Sequence, residues 1–231
     1  MSEDLPTYEV LAVRFGSSRA RPGSQNFIMP DGHDGPMQMD FYIWVIRREG
    51  RTIVVDTGFS PGASSRRNRQ FVHAPAEALA QATGRCICHT WFRRQSEVDD
   101  VVALVRNLYA GRVKFHDGAG EIAPGVTVHL IGGHTGGLQV VRVHTARGWV
   151  VLASDAVHYW ANIEERNPFP AADVMGALEG FATVEGLADG PAHIIPGHDP
   201  AVLTRFPPLR HNIDIVRVDL PPTHWQDAVS S

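Results

Sequence analysis

The stretch His129–Val141, HLIGGHTGGLQVV, sets His134 between two glycine pairs at the junction of two apolar runs. His134 is either the punctuation of a hairpin or a ligand held at the end of a strand. Both flanks are strand-like. GVTVHLIG alternates Val126, Val128 and Leu130 on one face, and GLQVVRVHT and RGWVVLASDA follow across short glycine-containing turns. The run from Trp149 to Ala153 is apolar without alternation, the pattern of a strand covered on both faces.

Working outward, YEVLAVRF (Tyr8 to Phe15) reads as a strand, and residues 16–36 have the Gly, Pro, Asn and Ser density of a long loop able to cover a site. Residues 41–58, FYIWVIRREGRTIVVDTG, read as two strands joined at Glu49 and Gly50. A short helix is expected over Ala76 to Gln81. A second follows Ser96, with Val98, Val101, Val102, Val105 and Leu108 on its apolar face and a stop at Gly111. GRVKFHDG is expected as a strand. Val174, Leu178, Phe181 and Val184 recur about once per turn in a later helix; then come a buried strand in AHIIPGHD, a helical turn in PAVLTRF and a late strand in NIDIVRVDL. No repeat or linker divides the chain, so residues 1–231 are expected to form one domain, α/β in class, with helices outside sheets.

With 231 residues, 43% of them apolar and 20% charged, the chain has the balance of a globular protein with a sizeable core. Its formal charge of −4 disfavours a nucleic acid partner. No window approaches the ~18 uninterrupted apolar residues of a membrane span. The first ten residues show no signal-peptide pattern, and Cys86 and Cys88 stand too close for a conventional bridge, so a cytoplasmic protein is expected.

Four polar residues share one kind of placement. Asp56 follows TIVV, Asp155 follows WVVLAS, His198 follows AHIIPG, and His134 follows VTVHLIG. Polar groups leaving the ends of buried strands commonly meet in a crevice, and two imidazoles with a carboxylate suit zinc or a similar divalent ion. Each residue also has a plain structural role open to it, as a turn former, a cap or a packed histidine.

The ordered set VVDTG, GGHTGG, LASDA and IIPGHD resembles the metallo-β-lactamase superfamily, and more closely its N-acyl-homoserine lactonase-like branch, over about Tyr8 to Phe206. The resemblance implies an αββα sandwich and a site for up to two divalent ions, with a lactone opened by attack of metal-bound hydroxide. It implies that His134 is a ligand of the first metal, Asp155 the bridging carboxylate and His198 a ligand of the second, while Asp56 acts through the ligands rather than on the metal. That branch often carries a catalytic tyrosine three residues after the bridging aspartate. This chain has His158 there and Tyr159 next, and either is a candidate for that role.

The family's His-X-His-X-Asp-His motif occurs nowhere in the sequence. The expected place of loss is a deletion join near residues 80–82, removing part of the first half of the sandwich together with four ligands. Cys86, Cys88 and His89 are candidate replacements, although adjacent Cys88 and His89 would lie on opposite faces of a strand. Two functions follow from these features. One is a lactonase-like, quorum-quenching metal hydrolase of impaired turnover, acting on a small-molecule lactone and able to form a homo-oligomer. The alternative is a non-catalytic remnant of the fold serving as a structural or interaction protein.

Overall fold

The computed structural model describes residues 5–29, 35–56, 59, 70–71, 98–171, 173–210 and 212–223. The expected helix at residues 76–81, the join near 80–82 and the candidates Cys86, Cys88 and His89 lie outside the described residues.

Two sheets face one another. The first runs in the order β10 (Pro208–Leu209), β11 (Asn212–Arg217), β1 (Glu9–Pro22), β2 (Pro36–Arg48) and β3 (Arg51–Val55), with β4 (Gln70–Phe71) also pairing with β1. The second runs β5 (Gly120–Ala123), β6 (Val126–Leu130), β7 (Gln139–Thr145), β8 (Gly148–Ser154) and β9 (Ile194–Pro196). Among the described residues the α-helices are α1 (Val98–Tyr109), α2 (Trp160–Glu164), α3 (Val174–Leu187) and α4 (Ala201–Arg205). This is the mixed α/β, two-sheet architecture expected of a metallo-β-lactamase-like sandwich.

The apolar run of β8 explains the layering. Val150 and Leu152 point into the inter-sheet core with Val10, Trp44, Ile46, Val126 and Val143, while Val151 and Ala153 point the other way, against Phe181 and Val184 of α3 and Ile163 of α2. Successive residues therefore enter two different cores, which is why the sequence shows no alternation there. Each fully buried aliphatic or aromatic side chain contributes about 1.5–3 kcal/mol. Helix α3 starts where Asp173 accepts a hydrogen bond from the Gly176 N–H at 3.0 Å.

The loop expected over residues 16–36 is shorter than its composition suggests. Strand β1 continues to Pro22 and pairs with β2 from Arg21 opposite Met37 and Ser17 opposite Asp40. Register shifts between Arg14 and Gly16 and between Ser18 and Arg21 absorb the small polar residues, and Phe15, Met39, Phe41 and Tyr159 form a separate cluster that holds the pairing. Beyond β1 the chain stays tethered: Asn167 exchanges two hydrogen bonds with the backbone of Met29, at 3.0 and 2.8 Å, and Asn162 donates to the Asn26 carbonyl at 3.1 Å. GRVKFHDG also departs from expectation. Residues 112–117 form no strand, Phe115 is exposed, and the pairing begins only at Gly120. In α1, Val102, Val105 and Leu108 remain substantially exposed. Among the described residues, no helix is long and apolar enough to cross a membrane.

Candidate metal centre

Strands β8 and β9 pair in parallel, Val151 opposite Ile194 and Leu152 opposite Ile195, so the residues that follow them emerge at the same edge. Asp155 follows Ser154, which takes a left-handed conformation (φ 47°), and His198 follows Gly197. The two loops are joined by the Gly197 N–H donating to the Val157 carbonyl at 2.9 Å and the His198 N–H donating to the His158 carbonyl at 3.0 Å. Gly197 is required by this approach, since a Cβ there would stand 2.4 Å from the Ser154 carbonyl oxygen. His134 arrives from the β6–β7 loop. Gly133, at φ 75°, lies so close to α3 that a Cβ would meet the Ala177 backbone at 2.7 Å. The glycines of GGHTGG thus serve both as a turn and as a close contact with the helix.

These loops bring His134, Asp155, His158 and His198 together. Single ligand atoms of His134, Asp155 and His158 all lie within 4.8 Å of one another. Asp155 Oδ1 is 2.8 Å from His198 Nε2 and 3.2 Å from His158 Nε2, the latter without hydrogen-bond alignment. The His158 ring packs between Phe169 and His198, with centroids 4.1 and 4.7 Å away, and Phe169 also lies 5.2 Å from His134. The Arg21 guanidinium stands over the Phe169 ring at 5.2 Å. A shallow depression beside His134 and Asp155, with Ile131, Phe169 and Ala177 in its wall, has room for about one water-sized occupant.

The electrostatics suit a cation. Burial pushes the Asp155 carboxyl up, but the close approach of His158 and His198 and the charges of His198 and His134 outweigh it and hold the group well below the usual carboxylate range. Burial holds His158 at about 3, outweighing its attraction to Asp155, so its imidazole is neutral at pH 7. His198 Nδ1 lies 2.9 Å from the Asp40 carbonyl, which can only accept, so Nδ1 carries the proton. His198 Nε2 faces the carboxylate at 2.8 Å, a contact that a proton or a metal ion between them would satisfy. Buried nitrogens of His134 (Nδ1) and His158 (Nδ1 and Nε2) have no hydrogen-bond partner. Three imidazoles, a carboxylate and orphaned ring nitrogens fit a divalent ion of the zinc type.

Tyr159, the other candidate beside His158, is turned away from this cluster. It is buried among Phe15, Met39 and Phe41, and its hydroxyl donates to the Gln38 carbonyl at 3.1 Å. Asp56 lies just past β3, exposed, in a left-handed conformation of φ 64°. Sequence patterns gave no indication of Asp40. Its backbone clamps His198 from both sides, accepting from Nδ1 and donating to the His198 carbonyl at 3.0 Å. Its fully buried carboxylate takes Arg14 at 3.1 Å and Gln38 at 2.9 Å. The one available signal was an acid directly preceding the apolar run FYIWV. Phe169 was equally hidden, within a Pro-rich segment.

No protein-family model matches this sequence, and no curated protein does. Solved structures do. The chain is similar to an N-acyl homoserine lactone hydrolase with the product N-hexanoyl-L-homoserine bound at its catalytic metal center (TM-score 0.61, 17% identity, 87% of this chain and 96% of that one). It is also similar to the dizinc quorum-quenching lactonase AidC (TM-score 0.56, 14% identity, 86% and 90%) and to AbOPH, a hydrolase of the beta-lactamase superfamily (TM-score 0.59, 12% identity, 97% and 100%). The fold of the chain is metallo-β-lactamase-like. At these identities the likeness concerns the fold, and the chemistry has to be argued from the side chains.

Proposed function

We infer that the protein is a metal-dependent hydrolase of small lactones, and the observation that carries this is the meeting of His134, Asp155, His158 and His198 at the edge where β8 and β9 end. The structural neighbours that bind or open homoserine lactones support the substrate class, and the donor set supports zinc or a comparable ion. His134 and Asp155 would hold the ion, and His198, fixed by Asp40, would orient Asp155 or join it as a ligand. A bound divalent ion supplies Lewis acidity toward a carbonyl and acidifies water. Phe169 and Ile131 give the depression an apolar wall, and the Phe169 ring covers His158. Quorum quenching, a cytoplasmic location and a homo-oligomeric state belong to the same reading.

The alternative, a non-catalytic remnant, is favoured by one observation: the sequence lacks the His-X-His-X-Asp-His motif, in keeping with a deletion near residues 80–82. Titrimetric measurement of N-acyl-homoserine lactone opening separates the two. The hydrolase reading expects turnover in the zinc- or manganese-loaded protein that is lost with a chelator and in Asp155→Ala. Turnover no faster than buffer in a metal-loaded, folded protein supports the remnant.

A further inference from the structure

We propose that His158 is a metal ligand, completing with His134 and Asp155 a site for a single divalent ion. This deepens the hydrolase reading and rests on it. The position is one where the lactonase-like resemblance implies a tyrosine, so the histidine is a departure that belongs to this chain.

Three observations converge on the assignment. The ligand atoms of His134, Asp155 and His158 form the one such group among the described residues, all within 4.8 Å of each other. His158 is 3% exposed; its Nε2 lies 3.2 Å from Asp155 Oδ1 without hydrogen-bond alignment, and its Nδ1 has no hydrogen-bond partner. Buried polar atoms in folded proteins nearly always have partners, and a side chain serving only to pack against Phe169 would do so better as a hydrocarbon. A metal ion supplies the missing partner for one of these nitrogens. The residue is also held in place: its carbonyl accepts from the His198 N–H at 3.0 Å, and its ring lies tilted at 43° against Phe169, 4.1 Å away, and edgewise to His198 at 4.7 Å.

Three donors are enough to hold one ion. A hydrolytic zinc site uses three protein ligands and leaves one position open. Two imidazoles and Asp155 fill that set, with His198 Nε2 also 2.8 Å from Asp155 Oδ1.

The test is metal binding rather than turnover. Zinc content and competitive zinc titration are measured on the full chain and on His158→Asn and His158→Phe, with the folding of each metal-free variant checked by circular dichroism. One zinc per wild-type chain and a loss of affinity of at least ~100-fold in the variants is expected, more than the ~10–100-fold usual for residues that only support a ligand. On the wild-type protein loaded with 113Cd, scalar coupling from the metal to the His158 ring protons is expected, which decides the matter even if the variants do not fold. One bound zinc with variant affinity within ~3-fold of wild type, or no coupling to His158, overturns the inference and leaves the hydrolase reading standing. Two zinc ions per chain overturn the single-ion assignment alone. A wild-type chain that binds no zinc overturns both.

Discussion

Replacing Gly197 with alanine tests whether the close approach of the β8 and β9 loops builds the site. The added Cβ would stand 2.4, 2.6 and 2.9 Å from the carbonyl oxygen, carbonyl carbon and Cα of Ser154, against the 3.4 Å at which ordinary contacts begin. All three are backbone atoms, so no side chain can swing aside. The loops must part by about 1 Å while Gly197 and His198 remain bonded to the carbonyls of Val157 and His158, at 2.9 and 3.0 Å. Overpacking of this kind costs about 1–3 kcal/mol, and its backbone character places it in the upper half of that range. At roughly 2–4 °C per kcal/mol for a chain of this size, the metal-free protein should melt about 4–12 °C lower. The same displacement would open the 2.8 Å contact between Asp155 and His198, and zinc affinity should fall about 10–100-fold. Gly136→Ala is the control, because nothing lies within 4 Å of its would-be Cβ. Thermal denaturation and zinc titration read both effects. A Gly197→Ala protein that melts with wild type and binds zinc equally would refute the reasoning.

Further substitutions and conditions probe the surroundings. Asp40→Ala removes a fully buried carboxylate from Arg14, which keeps Asp214, and should cost about 3 kcal/mol in urea denaturation; a change under 1 kcal/mol contradicts a structural role for that carboxylate. Burial, reinforced by Asp40 and Asp199, raises Tyr42 well above its ordinary value. The folded protein therefore keeps a proton that the unfolded chain releases, so this contribution is complete below about pH 10 and is lost as pH rises toward the folded value. Tyr42→Phe should flatten the fall of Tm above pH 10, and an unchanged slope would count against it. Asn167→Ala loses both bonds to Met29 and should accelerate amide hydrogen exchange over residues 26–29 while leaving β8 protected. Zinc at 100 times its Kd should stabilise the chelated protein by about 2.7 kcal/mol, or about 5–10 °C in Tm.

How far the sequence discloses this arrangement depends on whether the cause is local. The two-faced burial of β8 is written directly in Trp149 to Ala153, and the β2–β3 hairpin in its Glu49–Gly50 turn, where Gly50 takes φ 70°. The proximity of Asp155 and His198 is legible once their strands are taken as parallel neighbours. Strand β1 beyond Phe15 is different, because Gly16, Ser17 and Ser18 carry no strand signal and are held by Met39, Phe41 and Tyr159 from distant segments. Asp40 is hidden for the same reason: its importance lies in a backbone contact with a residue 158 positions away. His158 and Tyr159 were not separable by pattern, since adjacent residues in an irregular loop carry no periodicity, and their packing sends one toward Asp155 and the other toward Gln38.

The central claim is that His134, Asp155 and His158 hold a metal ion at the end of β8. Anomalous diffraction at the zinc absorption edge from crystals of the zinc-loaded protein tests it most directly. One peak per chain within bonding distance of all three side chains is predicted. A zinc-loaded crystal with no peak there, or with His158 turned away from the ion, would contradict it.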